Sequence, residues 1–242
     1  MCQDLDVIRS VIKIEGKILN ETPLRIGSGR STEFSNSDNP IITRGENPFI
    51  PGSSIKGALR SIVEAYVNTM IIEKKWNNVK NCEPGDKKCE TCSNEYCIAC
   101  LIFGHTDIAS RFYVLDSIPK GKPIISTRTM VSINRIFGSQ QRGNLYTLDF
   151  VDPGTEFTFS AILNNLNILE GEKEEPLNKA VEALRFALCQ LKDGIFIGGR
   201  KSTGNGLIKL VSANLALFKL EGGDLKKISE KTLEEVCKVG KS

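Results

Sequence analysis

Asp38 is the second residue of the stretch "SDNPIITRGENPFIPGSSIKGALR", residues 37–60, which gathers three prolines, Ser53 and Ser54, Lys56, and two arginines around one aspartate. The stretch runs into a turn-to-helix junction, where backbone N–H groups lack partners and carry partial positive charge. Ser53 and Ser54 add hydroxyl donors there, and Lys56 and Arg60, four apart, lie on the face opposite an apolar stripe. Such a junction can cradle a phosphate. Its bland counterpart is a capped surface helix with two solvated cations.

A second candidate is "GGRKSTGNG", residues 198–206. Gly198, Gly199, Gly204 and Gly206 let a backbone come close to a phosphate, and Arg200 and Lys201 supply charge. A nucleotide-hydrolysing phosphate loop needs a glycine directly before Lys201 and another five residues before it. Arg200 and Ile195 stand at those places, which disfavours nucleotide hydrolysis. The alternative is a hairpin turn that needs glycine for positive φ.

The third is the run Cys89, Cys92, Cys97 and Cys100, two knuckle-like pairs with a short spacer, with Cys82 upstream. Four thiolates so spaced suit a closed, structural Zn2+ site, with Cys82 or His105 as an alternative for one of the four. A closed site folds an insertion and leaves no open position for catalysis. The fourth is a region where Arg128, Arg135 and Arg142 interleave with Met130, Ile136 and Phe137. Cations there can hold phosphate while an apolar wedge separates stacked bases, or the region is an ordinary β-ribbon with a cationic face.

The elements that must position these residues follow from periodicity. "VIKIEGKIL", residues 11–19, alternates as a half-buried strand, and residues 20–52 read as a long loop with a short hairpin near Pro40 to Pro51. From Ile55 the apolar residues recur at helical intervals, with Ser53 or Ser54 as cap, for about four or five turns. Residues 74–104 read as a metal-bearing insertion and 126–152 as a protruding hairpin, followed by the strand-like "TEFTFSAIL". A second amphipathic helix spans Leu177 to Leu191 with Gly194 ending it, and "LIKLVSANLAL" forms a strand. The last twenty or so residues, which are charged, form a short surface helix in this reading. The order predicts one α+β domain over residues 1–242 with a ferredoxin-like or RNA-recognition-type core, its helices on one face of an antiparallel sheet.

Composition narrows the classes. The net charge of +3 is too small to mark a polyanion binder by itself, so placement of cations must carry that argument. No apolar run reaches membrane-spanning length and no signal-peptide pattern opens the chain, so a soluble, cytoplasmic protein is expected. Five of the eight cysteines crowd into residues 82–100, which favours metal ligation over a disulfide scaffold. With His105 the only histidine, a mechanism needing two imidazoles of one chain is excluded.

In sequence order, "SDNPII", "FIPGSSIKGALRS", "CIACLIFG", "VSINRIFGSQQRGNLYTLDFVDPGTEF" and "IGGRKSTGNG" resemble the RAMP superfamily of CRISPR-associated proteins, and more narrowly the repeated backbone subunit of type III effector complexes. The resemblance covers residues from about 11 to about 215. It implies a β-hairpin thumb on the RNA-recognition-type core, and self-association along a guide RNA beside other effector subunits. It implies that Ser53, Ser54, Lys56, Arg60, Gly199, Arg200, Lys201 and Gly204 bind guide RNA, and that Arg135 and Phe137 shape a thumb that kinks the guide–target duplex. In active members an aspartate of the loop after the first strand is needed to cleave target RNA, and Asp38 holds that position, with Mg2+ or Mn2+ as the implied ion. The alternative within the family is a backbone paralogue that only binds guide RNA.

Overall fold

A computed structural model describes residues 5–29, 37–82, 89 and 96–238. The chain begins with β1 (Val11–Asn20), two short strands β2 (Thr43–Arg44) and β3 (Asn47–Pro48), and the long helix α1 (Gly52–Ile72). Next come β4 (Val79–Lys80), β5 (Tyr96–Cys97), α2 (Ile98–Phe103) and β6 (Phe112–Val114). A ribbon of β7 (Ile125–Ile133) and β8 (Gln140–Val151) leads to β9 (Glu156–Asn164) and α3 (Leu177–Asp193). The last part comprises β10 (Ile195–Phe196), β11 (Leu207–Glu221), β12 (Asp224–Thr232) and α4 (Leu233–Lys238).

The fold is mixed α/β, organised on a six-stranded sheet ordered β10-β11-β1-β9-β6, with β12 paired to β11. Every pairing in it is antiparallel. Ile12, Ile14 and Ile18 of β1 are buried while Lys13 and Glu15 are exposed, so one face of the sheet is covered and the other meets water. Phe157, Phe159, Ala161 and Leu163 of β9 and Leu215 and Leu217 of β11 complete the covered face. Helices α1, α2 and α3 pack against one another, α3 also against β11 and α1 against β6. From α1 they bury Ile55, Leu59, Val63 and Val67, the 3.6-residue stripe read from the sequence.

Helix α1 starts earlier than its expected caps. Pro51 is the N-cap without a side-chain hydrogen bond, so Ser53 and Ser54 lie inside the first turn instead of ahead of it. Gly52 permits this start: a Cβ there would collide with the carbonyl of Val114, and its amide donates to Asp116 Oδ1 at 2.9 Å. The helix start thus already faces a carboxylate.

The C-terminal segment departs from the expected lone helix. Gly222 and Gly223, at φ 64° and 93°, form a tight turn that folds β12 back on β11 before α4 begins. Cys189 of α3 and Cys237 of α4, which the cysteine reading left unassigned, form a disulfide. Among the described residues no helix is long and apolar enough to cross a membrane.

Candidate nucleic-acid interface and metal centre

The loop after β1 is zipped to its surroundings rather than extended into solvent. Ile42 N–H donates to Ile26 O at 2.7 Å and Ser28 N–H to Pro40 O at 3.1 Å, while Leu24 pairs with Val151 at the end of β8. This brings Asp38 beside β8, and Asn39 bridges Leu148 in parallel. Thr147 then engages Asp38 reciprocally. Its amide and hydroxyl donate to Asp38 Oδ2 at 2.7 and 2.9 Å, and the Asp38 amide donates back to Thr147 Oγ1 at 3.0 Å. Those two donors hold the exposed Asp38 carboxyl below the usual carboxylate range. Buried Ser37 adds a hydrogen bond to Thr147 O at 3.2 Å.

The glycine-rich loop closes on the same junction through Arg25. Gly199 N–H donates to Arg25 O at 2.8 Å, and Arg25 Nη2 donates to Asn39 O at 2.9 Å. Gly198, at φ 75°, sits so near Arg25 O that a Cβ would overlap it, which explains the glycine. Arg200, in the left-handed region at φ 61°, donates to the Tyr146 hydroxyl and lies with its Cζ 5.6 Å from that ring's centroid. Its carbonyl is held by Thr203 N–H and Oγ1 at 3.1 and 2.9 Å. Lys201 and Gly204 are exposed beside it. Aspartate loop, glycine-rich loop and the base of the ribbon therefore form one contact chain: Arg200–Tyr146, Thr147–Asp38, Asn39–Arg25–Gly199.

The ribbon stands apart as its own two-stranded sheet. At its tip Asn134 Oδ1 accepts the amides of Ile136 and Phe137 at 2.9 and 3.2 Å, an Asx turn that presents exposed Arg135, Ile136 and Phe137. Ile136 and Phe137 are 86% and 78% exposed, a large cost in apolar hydration for a tip with no partner. Arg128, by contrast, packs its guanidinium 5.1 Å from the centroid of Phe150.

On α1, Ser53 is exposed and Ser54 half-buried. Lys56 Nζ donates to Ser110 Oγ at 2.9 Å, and burial, then the charge of Arg60, lower its pKa. Arg60 turns inward: Nε donates to Glu64 Oε1 at 2.8 Å, Nη1 to Gly104 O at 3.1 Å and Nη2 to Cys100 Sγ at 3.5 Å. No hydrogen bond among the described residues joins these α1 side chains to the Asp38 junction.

Cys82, Cys89, Cys97 and Cys100 bring their sulfurs within 4.8 Å of one another. Cys82, the alternative in the sequence reading, completes the set, whereas Cys92 lies outside the described residues. Asn81 explains the delivery: its Nδ2 donates to Glu64 O and Asn68 Oδ1 at 2.9 and 2.8 Å, docking the segment on α1. Cys97 caps α2, its sulfur accepting the Cys100 amide at 3.4 Å. Donation from the Cys100 thiol, with that amide, pushes the Cys97 thiol down against the effect of burial, while burial pushes Cys89 up. A tetrahedral ion with sulfur bonds of about 2.3 Å needs sulfur–sulfur edges of about 3.8 Å. The four sulfurs, with Cys82 Sγ and Cys89 Sγ at 2.9 Å and all within 4.8 Å of one another, bracket that edge, and an all-sulfur, largely buried set suits a thiophilic metal. His105 is not in it; its amide pairs with Ile108 O at 2.9 Å.

Thr147, Tyr146, Arg25 and Asn39 are the members of the site that motif reading did not single out. The signal for Thr147 was present but generic, a polar residue alternating with buried Leu148 and Phe150.

Comparison with known proteins agrees with this arrangement of motifs. A protein of Methanocaldococcus jannaschii called CRISPR system Cms endoribonuclease Csm3 is 26% identical over 242 residues, covering 95% of this chain and 90% of its own length. One of the same name from Mycobacterium tuberculosis is 24% identical over 232 residues, covering 90% and 94%. A third, from Methanothermobacter thermautotrophicus, is 43% identical over 82 residues, 33% of this chain and 30% of its own. The RAMP superfamily profile matches residues 17–209, from within β1 to within β11, and so takes in the aspartate loop, α1, the cysteine centre and the glycine-rich loop: the chain belongs to the RAMP superfamily.

Proposed function

We propose that this chain is the guide-RNA-binding backbone subunit of a type III CRISPR ribonucleoprotein, and that in the assembled complex it cleaves target RNA complementary to the guide. The observation that carries the reading is the junction at which Asp38, the glycine-rich loop and the base of the ribbon are hydrogen-bonded together. The endoribonuclease names of the relatives support it. The strand order β11-β1-β9-β6, with α1 after β1 and α3 before β11, supports a ferredoxin-like core. The ribbon, a two-stranded sheet of its own that is docked at its base and exposed at its apolar tip, supports a thumb.

In this reading Ser53, Ser54, Lys56, Gly199, Arg200, Lys201 and Gly204 contact the guide backbone, and Arg135 and Phe137 wedge the duplex. Target cleavage is an internal attack. The 2′-hydroxyl gives its proton to water as its oxygen bonds to phosphorus, the 5′-oxygen leaves and takes a proton from water, and Asp38 orients the attacking 2′-hydroxyl. Mg2+ or Mn2+ would neutralise phosphate charge. The one group of three or more possible ligands among the described residues is the cysteine set, so water and RNA phosphates would supply most of that ion's ligands. Zn2+ is the ion for Cys82, Cys89, Cys97 and Cys100, where it would cross-link the insertion to α2.

Asp38→Asn in the reconstituted complex should preserve assembly and target binding and abolish cutting at the site it faces. Products should carry 2′,3′-cyclic phosphate, and a 2′-deoxy nucleotide at the scissile position should block them. Unchanged cleavage by the variant would refute the assignment. A specific observation favours a second reading, a paralogue that only binds: Asp38 Oδ2 already takes both Thr147 donors, as a structural clamp would. That reading predicts intact target at saturating Mg2+ or Mn2+.

A further inference from the structure

We propose that Arg60 is the charge-compensating hydrogen-bond partner of the cysteine centre, and that it ties α1 to the metal-bearing insertion instead of holding a guide phosphate. The inference rests on the reading that the four cysteines bind Zn2+. Three of the five N–H donors of this guanidinium are committed to protein acceptors, and its side chain is only 32% exposed.

The acceptors are informative. Cys100 Sγ belongs to the centre, and Gly104 O closes the far end of α2, the helix that carries Cys100. One planar fork thus grips the first and last turns of that helix, while Glu64, one turn along α1, fixes the fork's Nε. Gly104 can end α2 there because its φ of 86° admits no ordinary side chain, and a Cβ would crowd the Ser110 amide at 3.0 Å. The same turn of α1 holds the opposite side of the centre, since Glu64 O accepts Asn81 Nδ2 beside Cys82.

Charge gives the arrangement its purpose. Four thiolates around a divalent ion leave two net negative charges in a mostly buried place, and buried charge without a partner is costly. Arginine stays protonated in any such setting, and its N–H groups withdraw charge from sulfur without displacing it from the metal. Lys56, one turn earlier, reaches Ser110 and the Tyr113 ring, and none of its contacts is with the centre.

The test uses the full chain, stripped of metal and titrated with Zn2+ against a chromophoric chelator, with Co2+ thiolate charge-transfer absorption as a second readout. Arg60→Gln should lower Zn2+ affinity about tenfold or more, in the range of other outer-sphere partners, and shift the Co2+ band. Arg60→Lys, which keeps the charge and loses the fork, should fall between it and the wild type. The salt dependence of single-stranded RNA binding should be the same in all three. Wild-type Zn2+ affinity in both variants overturns the proposal. So does a salt slope reduced by about 0.7 in Arg60→Gln, the mark of a lost phosphate contact on a single strand. A wild-type chain that takes up neither ion removes the zinc reading and this inference together, an outcome distinct from the other two.

Discussion

Asp38 and Thr147 show how much of a site one reciprocal pair can set. Because the Thr147 donors depress the Asp38 pKa, their contact stabilises the fold above the ordinary carboxylate pKa of about 3.9 and is lost as pH falls through the lower folded value. Solvent exposure keeps that contribution small. Thr147→Val removes the hydroxyl and leaves the amide, so the Asp38 pKa should rise part of the way to its ordinary value. Carboxyl-carbon NMR titration measures this, and an unmoved pKa would mean that the amide alone holds the carboxylate. The aspartate was legible in the sequence because its motif is local. Thr147 was not, since it lies 109 residues away and nothing short-range marks it as Asp38's partner. Cys82 stood in the sequence only as an alternative for a related reason: its place depends on Asn81 docking against α1, whereas spacing alone put Cys92, which lies outside the described residues, in the set.

Among the elements, α1 does two jobs, with an apolar stripe toward the sheet and α3 and a polar face toward the cysteine centre. Leu59 is fully buried in that stripe, so Leu59→Ala should cost about 2–5 kcal/mol in urea unfolding. A cost below about 1 kcal/mol would mean the helix is not the core element its burial indicates. This helix, β1, β9 and α3 were readable because their burial follows periods of 3.6 and 2, which the sequence displays directly. The C-terminus was misread because charged residues dominate "DLKKISEK", which hid the Gly222–Gly223 turn that makes β12 an edge strand. Its helix is real but short. Thr232 and Glu235 cap it reciprocally, Glu235 Oε2 taking the Thr232 amide at 2.7 Å and Thr232 Oγ1 taking the Glu235 amide at 3.4 Å. Thr232→Ala should lower stability by about 1 kcal/mol, read as a modest fall in melting temperature. Reducing the Cys189–Cys237 disulfide in that variant should enlarge the fall, because the bond holds α4 to α3 beside the buried Leu233 and Val236.

At the scale of the whole molecule, a net charge of +3 gives no general pull on RNA, so the proposed function requires that affinity come from a few cations left free by the fold. The fold decides which those are. Arg60 and Lys56 are turned to protein acceptors and Arg128 lies against Phe150, whereas Lys201 and Arg135 are exposed on the glycine-rich loop and the ribbon tip. Each phosphate neutralised on a single strand contributes about 0.7 to the slope of log affinity against log salt. Lys201→Ala and Arg135→Ala should therefore each lower the slope by about that amount in RNA-binding isotherms of the assembled particle. Lys56→Ala should lower it less, because its ammonium must first leave Ser110 before it can meet a phosphate. If all three variants lowered the slope equally, the cations that the fold engages would be as available as those it exposes, and the sorting of guide contacts by burial would fail. If neither Lys201→Ala nor Arg135→Ala moved it, the guide would have to lie on another surface of the sheet.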